Sequence, residues 1–325
     1  MHYTNTSNIS LALAVFLATD DYDHEPNTIS ATSLMKSTRQ HILSKRIPAE
    51  ENFIDISTLV PSKLGSAIHG GIENAWLNPK VHQIIESLGY PKAVHENIKV
   101  NPTPEEITDK TIAIYMEIRS YLDVLGVKVS GKFDFVGDGQ VQDFKNTSVW
   151  RYIYQTSKQD YITQLSIYKL LNPDIITKDT GLIHYIFSDW SKMDSLRVKD
   201  YPPSRILTQR ITLMTKEQTL AYVKNKISLI LRHQNTPEKD LPLCSDEELW
   251  RKDPLWKYYK NPQKTEGRST KNFDNAKDAT IKLVEDGSVG IVKYVPGQVV
   301  ACLYCAAFSR CTQRESLQQN GELTL

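Results

Sequence analysis

The sequence predicts an α/β fold whose core runs α-β-β-β-α-β, with a helical N-terminal lead and a small cysteine-bearing module after it. Three observations predict this: an apolar period of four over residues 62 to 78, an Asp-Gly turn between alternating stretches at 131 to 148, and four cysteines confined to residues 244 to 311.

With 325 residues, 40% of them hydrophobic and 24% charged, the chain has room for one large domain or two moderate ones without covalent staples. A net charge of +1 excludes a strongly basic protein, so any contact with nucleic acid must come from a local patch. Near the start, "ISLALAVFLA" (residues 9 to 18) has no Lys or Arg before it, acidic "TDDYDHE" after it, and too few residues to span a bilayer. It predicts a buried helix rather than a leader peptide, in a cytoplasmic protein with no membrane partner.

"SKLGSAIHGGIENAWLN" (62 to 78) repeats Leu64, Ile68, Ile72 and Trp76 at helical spacing, with His69 and Glu73 one turn apart on an adjacent stripe. Residues 111 to 122, 126 to 136 and 140 to 146 read as strands. A helix over 157 to 172 stops at Asn172-Pro173, and 181 to 190 reads as a further strand.

Within "GKFDFVGDGQVQDFKNTS", Asp138-Gly139 is a strong hairpin signal, because a type I′ turn needs positive φ at both central positions. With Gly137 facing Gln140, Asp134 falls across from Asp143, Lys132 across from Lys145, and Phe133 across from Phe144. Like charges facing each other destabilise a sheet, so a divalent cation is the natural candidate to lie between the aspartates. Asp143 and Lys145, two residues apart, share one face. Carboxylates that hold Mg²⁺ beside a lysine are the equipment of phosphodiester hydrolysis, in which the ion polarises a phosphoryl oxygen and lowers the pKa of a water. The plain alternative is a solvated hairpin with its phenylalanines turned inward.

After about residue 234 the chain turns polar and proline-punctuated, with Trp250, Trp256, Tyr258 and Tyr259 among lysines. This places a domain boundary near Thr236, dividing 1–235 from 236–325. Such interleaving suits either stacking on single-stranded DNA or the packing of a small module. Cys302, Cys305 and Cys311 form C-x2-C-x5-C, and Cys244 completes four thiolates, a pattern that favours metal or cluster binding over two disulfides. Four-cysteine sites serve both zinc and iron-sulfur clusters.

In chain order, His69 in "LGSAIHGGIE", Asp134 in "GKFDFV", Asp143 and Lys145 in "VQDFKNTS", and Gln164 with Tyr168 in "YITQLSIY" resemble the motifs of RecB-like exonucleases of the PD-(D/E)XK superfamily. The resemblance spans roughly residues 29 to 190. It implies a restriction-endonuclease-like core and Mg²⁺ or Mn²⁺ bound by His69, Asp134, Asp143 and the Phe144 backbone carbonyl. It further implies Lys145 as the catalytic lysine, with Gln164 and Tyr168 supporting the site or the DNA strand. Glu73 is a further candidate at the ion site, and Glu117 is weighed beside it; both have simple solvation as the alternative.

The chain also looks like stand-alone versions carried by tailed bacteriophages, including "ISATSLMKSTRQ" near the N-terminus. That implies a role in phage DNA recombination, repair or processing in the host cytoplasm, with a recombinase or single-strand-binding protein as partner by analogy. The terminal cysteines resemble the 4Fe-4S module of AddB-type and CRISPR-associated nucleases. There the fourth cysteine usually precedes the core, whereas here none precedes His69. With Cys244 as the fourth, a 4Fe-4S cluster, or Zn²⁺ as the alternative, would close a C-terminal module on itself instead of clasping the two chain ends.

The expectation is therefore a metal-dependent DNA nuclease, with exonuclease the favoured form. Its competitor is an accessory protein that grips nucleic acid without cutting, around a structural zinc or iron-sulfur site. The intact Asp134, Asp143 and Lys145 argue for cutting. On the repulsion argument, Asp143→Ala should abolish cutting and leave folding intact or improved.

Overall fold

A computed structural model describes residues 2–20 and 25–324, so residues 21–24 of the acidic stretch lie outside the described residues. The chain divides into two units, Met1–Met35 with Pro48–Ser228, and Lys36–Ile47 with Leu229–Leu325. In the first unit the elements that position the site begin with β1 (Thr28–Ser30), α1 (Val60–Trp76), β2 (Ile98–Val100), β3 (Ile112–Met116), β4 (Arg119–Val124) and β5 (Val127–Lys132). They continue with β6 (Phe135–Gly137), β7 (Gln140–Thr147), α2 (Lys158–Leu171), β8 (Thr180–Phe187) and β9 (Ile206–Thr212). The result is a mixed α/β unit with a six-stranded sheet, β9-β8-β7-β6-β3-β2, and a three-stranded sheet, β1-β5-β4.

Asp138 and Gly139 both hold positive φ, 50° and 70°, as a type I′ turn requires. The ladder runs from Gly137↔Gln140 to Phe135↔Gln142. Beyond that point the strands part. Two stretches expected to be single strands are each broken, at Glu117-Ile118 and at Phe133-Asp134, and the breaks coincide. The segments around them form one ribbon, turned at Leu125-Gly126 with φ of 53° and 77°. Its outer half, β4 on β5, pairs Arg119 with Lys132; its inner half, β3 on β6, pairs Met116 with Phe135. The register is continuous across the gap, where the Glu117 N–H donates to the Asp134 carbonyl at 3.3 Å.

Lys132 therefore stands across from Arg119 and not Lys145, and Phe133 is buried rather than paired with Phe144. The cause is competition for edges. Past the gap β5 takes β1 as its other neighbour, while β7 continues along β8, with Asp143↔Ile183 and Lys145↔Tyr185.

α2 packs against β5, β7 and β8. Gly131 permits this approach, because a Cβ there would lie 2.6 Å from Leu171 Cδ1. α1 forms where the apolar period predicts a helix, yet it has no fully buried residue and Leu64 is 47% exposed. Its core contact is Trp76, which packs on Phe135 and the Ile85–Ile98–Ile114–Met116 cluster.

The N-terminal stretch is helical over Leu11–Ala18, but only Leu17 is buried and Leu11 is 80% exposed. An eight-residue helix that is apolar all round can cover only one side against its neighbours, so the expected burial is not found. Among the described residues no helix is long and apolar enough to cross a membrane.

In the second unit, the strands Leu255–Tyr259, Lys271–Phe273 and Ile291–Val295 form an antiparallel sheet with the helix Ala276–Glu285 against it. Tyr258 and Tyr259 are buried in this module, so the packing alternative holds for them. The division between units falls at Ser228/Leu229 inside the helix Lys216–His233, not at Thr236. Lys36–Ile47 joins the C-terminal unit because Ile42 and Leu43 share a core with Leu241 and Ala307.

At Gly139 an alanine would combine a left-handed backbone with a Cβ 2.1 Å from Thr177 Oγ1. Gly139→Ala is expected to lower stability by about 1–2 kcal/mol in urea unfolding. An unchanged midpoint would remove this turn from the forces that set the register.

Candidate functional site

Three acids, Glu117, Asp134 and Asp143, lie near one another where the ribbon breaks. The ribbon register, the same on both sides of the gap, sets Glu117 opposite Asp134; the ladder to β7 ends at Phe135↔Gln142, and past it the Phe144 N–H, next to Asp143, donates to Asp134 Oδ2 at 3.4 Å. Glu117 holds φ at 54°, a left-handed backbone that costs roughly 1–2 kcal/mol for a residue with a Cβ. Its position at the ribbon break turns a strand residue into a site residue.

His69 approaches the acids from α1. Its Nδ1 lies 3.4 Å from Asp134 Oδ2, and its Nε2 donates to the Phe144 carbonyl at 2.9 Å. His69, Glu117 and Asp134 each offer a ligand atom, all within 4.8 Å of one another. They line a cavity of about 490 Å³ together with Glu73, Lys132 and Tyr168. Glu73 sits one turn beyond His69, and Lys132 pairs with Glu117.

Asp143 is buried, and Lys145 Nζ lies 2.7 Å from its Oδ2. Behind the lysine is a second chain of contacts. Lys145 Nζ donates to Gln164 Oε1 at 3.3 Å, and Gln164 Nε2 donates to Tyr168 Oη at 2.8 Å. The Tyr161 ring lies 5.3 Å from the ammonium.

Tyr161, Gln164 and Tyr168 occupy one face of α2 at helical spacing. The motif reading included the last two and missed Tyr161, although its position three residues before Gln164 was a usable signal. Of the residues taken from the sequence for the ion site, His69 and Asp134 offer ligand atoms close together, Glu73 lines the same cavity, the Phe144 carbonyl is bonded by His69, and Asp143 is buried with Lys145. Glu117, weighed beside Glu73 with solvation as the alternative, offers a ligand atom beside His69 and Asp134.

The charges are tuned by burial and by each other. Hydrogen bonding to Asp134 pushes His69 up to about 9 in spite of burial, helped by the Phe144 carbonyl and Asp143. Burial pushes Asp143 up, against the pull of Lys145. Burial likewise raises Glu117, opposed by Lys132. Burial alone would lower Lys145, but the adjacent Asp143 outweighs it and keeps the ammonium charged. An imidazolium and an ammonium thus offset the acids. The donor set of carboxylates, imidazole and backbone carbonyl suits Mg²⁺ or Mn²⁺.

In the second unit Cys244, Cys302, Cys305 and Cys311 are free thiols that line one pocket, together with Leu43, Leu249 and Phe308. Burial raises Cys244 and Cys305, and pushes Cys302 up to about 11. Ser37 Oγ lies 3.2 Å from Cys244 Sγ, and Arg39 Nε donates to Cys311 Sγ at 3.2 Å. The pocket is therefore not closed by C-terminal residues alone. The segment Lys36–Ile47 supplies part of it, which corrects the expectation of a module shut on itself.

No family model matches the chain, and no curated protein matches it. Among solved structures, one titled "Crystal structure of SSO0001" is similar at a TM-score of 0.38 and 19% identity, covering 67% of this chain and 81% of that one.

The buried pair reverses one expectation. Asp143→Ala would leave the Lys145 ammonium, 23% exposed, without its carboxylate. It should therefore lower stability in the metal-free protein, by about 1–3 kcal/mol after allowing for that exposure. Urea unfolding in chelator, with a midpoint at or above wild type, would restore the repulsion argument.

His69 gives a second measurement. Its pKa is raised on folding, so its contribution is complete below about 6.5 and is lost as pH rises through about 9. Nitrogen-detected NMR of the metal-free protein should follow an imidazolium to that pH, and Asp134→Asn should bring the titration down.

Proposed function

We propose that the chain is a divalent-metal-dependent nuclease with a PD-(D/E)XK core, hydrolysing phosphodiester bonds of DNA from an end. The observation that carries this reading is the group Glu117, Asp134 and Asp143 with His69 at one side and Lys145 ion-paired to Asp143. Neighbouring acids cost stability on a sheet, and a strained backbone at Glu117 adds to that cost. Lys132, His69 and Lys145 balance the acids in the metal-free protein, and a bound divalent cation would add to that balance.

His69, Glu117, Asp134, Asp143 and the Phe144 carbonyl would hold Mg²⁺ or Mn²⁺, which supplies Lewis acidity toward a phosphoryl oxygen and a water of lowered pKa. The chain's own part is positioning and charge. Lys145 stays protonated beside Asp143 and is placed to offset negative charge that develops on the phosphoryl oxygens. Gln164 fixes the direction of the ammonium, and Tyr168 fixes Gln164. Tyr161 walls the lysine with an aromatic face, which limits the number of rotamers it can adopt.

For the second unit the proposed occupant is a 4Fe-4S cluster. The support is the sequence spacing C-x2-C-x5-C with Cys244 as a fourth thiol, and the pocket that all four thiols line; Zn²⁺ is the alternative occupant.

End-labelled linear DNA and closed circular DNA, incubated with Mg²⁺ or Mn²⁺ and anaerobically purified protein, test the nuclease reading. Linear DNA alone should be lost, and Lys145→Ala should slow that loss by about 10²–10³-fold. Failure to cut either DNA by a folded, metal-supplied protein would replace the nuclease with a binding protein.

A further inference from the structure

Arg39 is 2% exposed, and its guanidinium is spent on the surroundings of one cysteine. Nε donates to Cys311 Sγ at 3.2 Å, Nη1 to the Leu241 carbonyl at 3.1 Å, and Nη2 to Thr312 Oγ1 at 3.2 Å and to the Glu238 carboxylate. Glu238 in turn accepts from the Thr312 N–H and hydroxyl, both at 2.9 Å. Thr312 opens the helix Thr312–Gln319 immediately after Cys311. The cysteine is thus held through its sulfur and through the chain that follows it.

A buried guanidinium is costly unless its donors are satisfied in a fixed geometry. Here that geometry includes a sulfur, which is a weak acceptor unless it carries negative charge. Packing alone would be served by an apolar side chain. A planar fork that reaches a sulfur, a carbonyl, a hydroxyl and a carboxylate together is something lysine cannot reproduce.

We propose that Arg39 is a positioning residue for an iron-sulfur cluster on Cys244, Cys302, Cys305 and Cys311, fixing Cys311 and setting the reduction potential of the cluster. This rests on the four-cysteine reading given above. Reduction adds negative charge, so a hydrogen bond to a ligating sulfur and a buried positive charge beside it both favour the reduced state. Glu238 works in the opposite direction, and the pair makes the two contributions separable. Ser37, on the same segment, offers its hydroxyl to Cys244, so two of the four sulfurs are met by residues that lie more than 200 positions before them in the chain.

The experiment uses the full chain, purified without air, as wild type, Arg39→Met, Arg39→Lys and Glu238→Gln. Iron and acid-labile sulfide are counted, and the midpoint potential is read by a redox titration followed by electron paramagnetic resonance. Arg39→Met should shift the reduction equilibrium about tenfold toward the oxidised state, about 59 mV lower for one electron. Arg39→Lys should fall between it and wild type, and Glu238→Gln should shift upward.

If Arg39→Met fails to fold or load, the lysine variant and Glu238→Gln decide by the same readings. Loaded variants whose potentials coincide with wild type, or a downward shift in Glu238→Gln, would overturn the role of Arg39. Wild type that carries no iron and sulfide, or carries zinc in their place, would overturn the cluster reading itself, so the two failures are distinguishable.

Discussion

Balancing three neighbouring acids, Glu117, Asp134 and Asp143, against Lys132, His69 and Lys145 is the constraint on which the site of the first unit depends. The ribbon brings Glu117 against Asp134 and β7 brings Asp143 close by, at the place where the ladder is interrupted. The ribbon breaks at Glu117 and Asp134, one half staying with the six-stranded sheet and the other joining β1. A continuous ladder would have closed this space with backbone hydrogen bonds. The break leaves a polar cavity bordered by α1, and the positive groups His69 and Lys145 come from elements on either side of Asp134.

The same economy governs the order of those groups. Lys145 shares a strand with Asp143, so their proximity is inherent in strand geometry. His69 comes from a helix whose own burial is modest and whose packing depends on Trp76. Gln164 and Tyr168 depend on α2 lying close to β5, which Gly131 allows. A missing side chain at one position is thereby coupled to the aim of an ammonium several elements away.

Local chemistry was legible in the sequence where it depends on neighbours along the chain. Asp138-Gly139 announced its turn, and the turn carried the correct register as far as Phe135↔Gln142. The pairings of Lys132 and Phe133 were not legible, because they depend on which strand competes for the far edge of β5. Glu117 was hidden for a related reason, since its alignment with Asp134 exists only through a ladder formed by the other arm of the ribbon. The place of Lys36–Ile47 was less visible still. Nothing local in "KSTRQHIL" marks Arg39 as the residue that will meet a cysteine 272 positions later. The exposed helix Leu11–Ala18 shows the limit of reading burial from hydrophobicity alone.

The turn at Leu125-Gly126 lies at the far tip of the ribbon, yet the ribbon has one register from tip to site. Adding or losing a single residue there would slide one arm past the other and carry Glu117 out of line with Asp134, turning its side chain to the opposite face. Where a change in hairpin length shifts that register, the alignment of Glu117 with Asp134 is lost with it. Lineages descended from this chain should vary that tip in sequence while holding its length, or change its length only together with the loss of the chemistry.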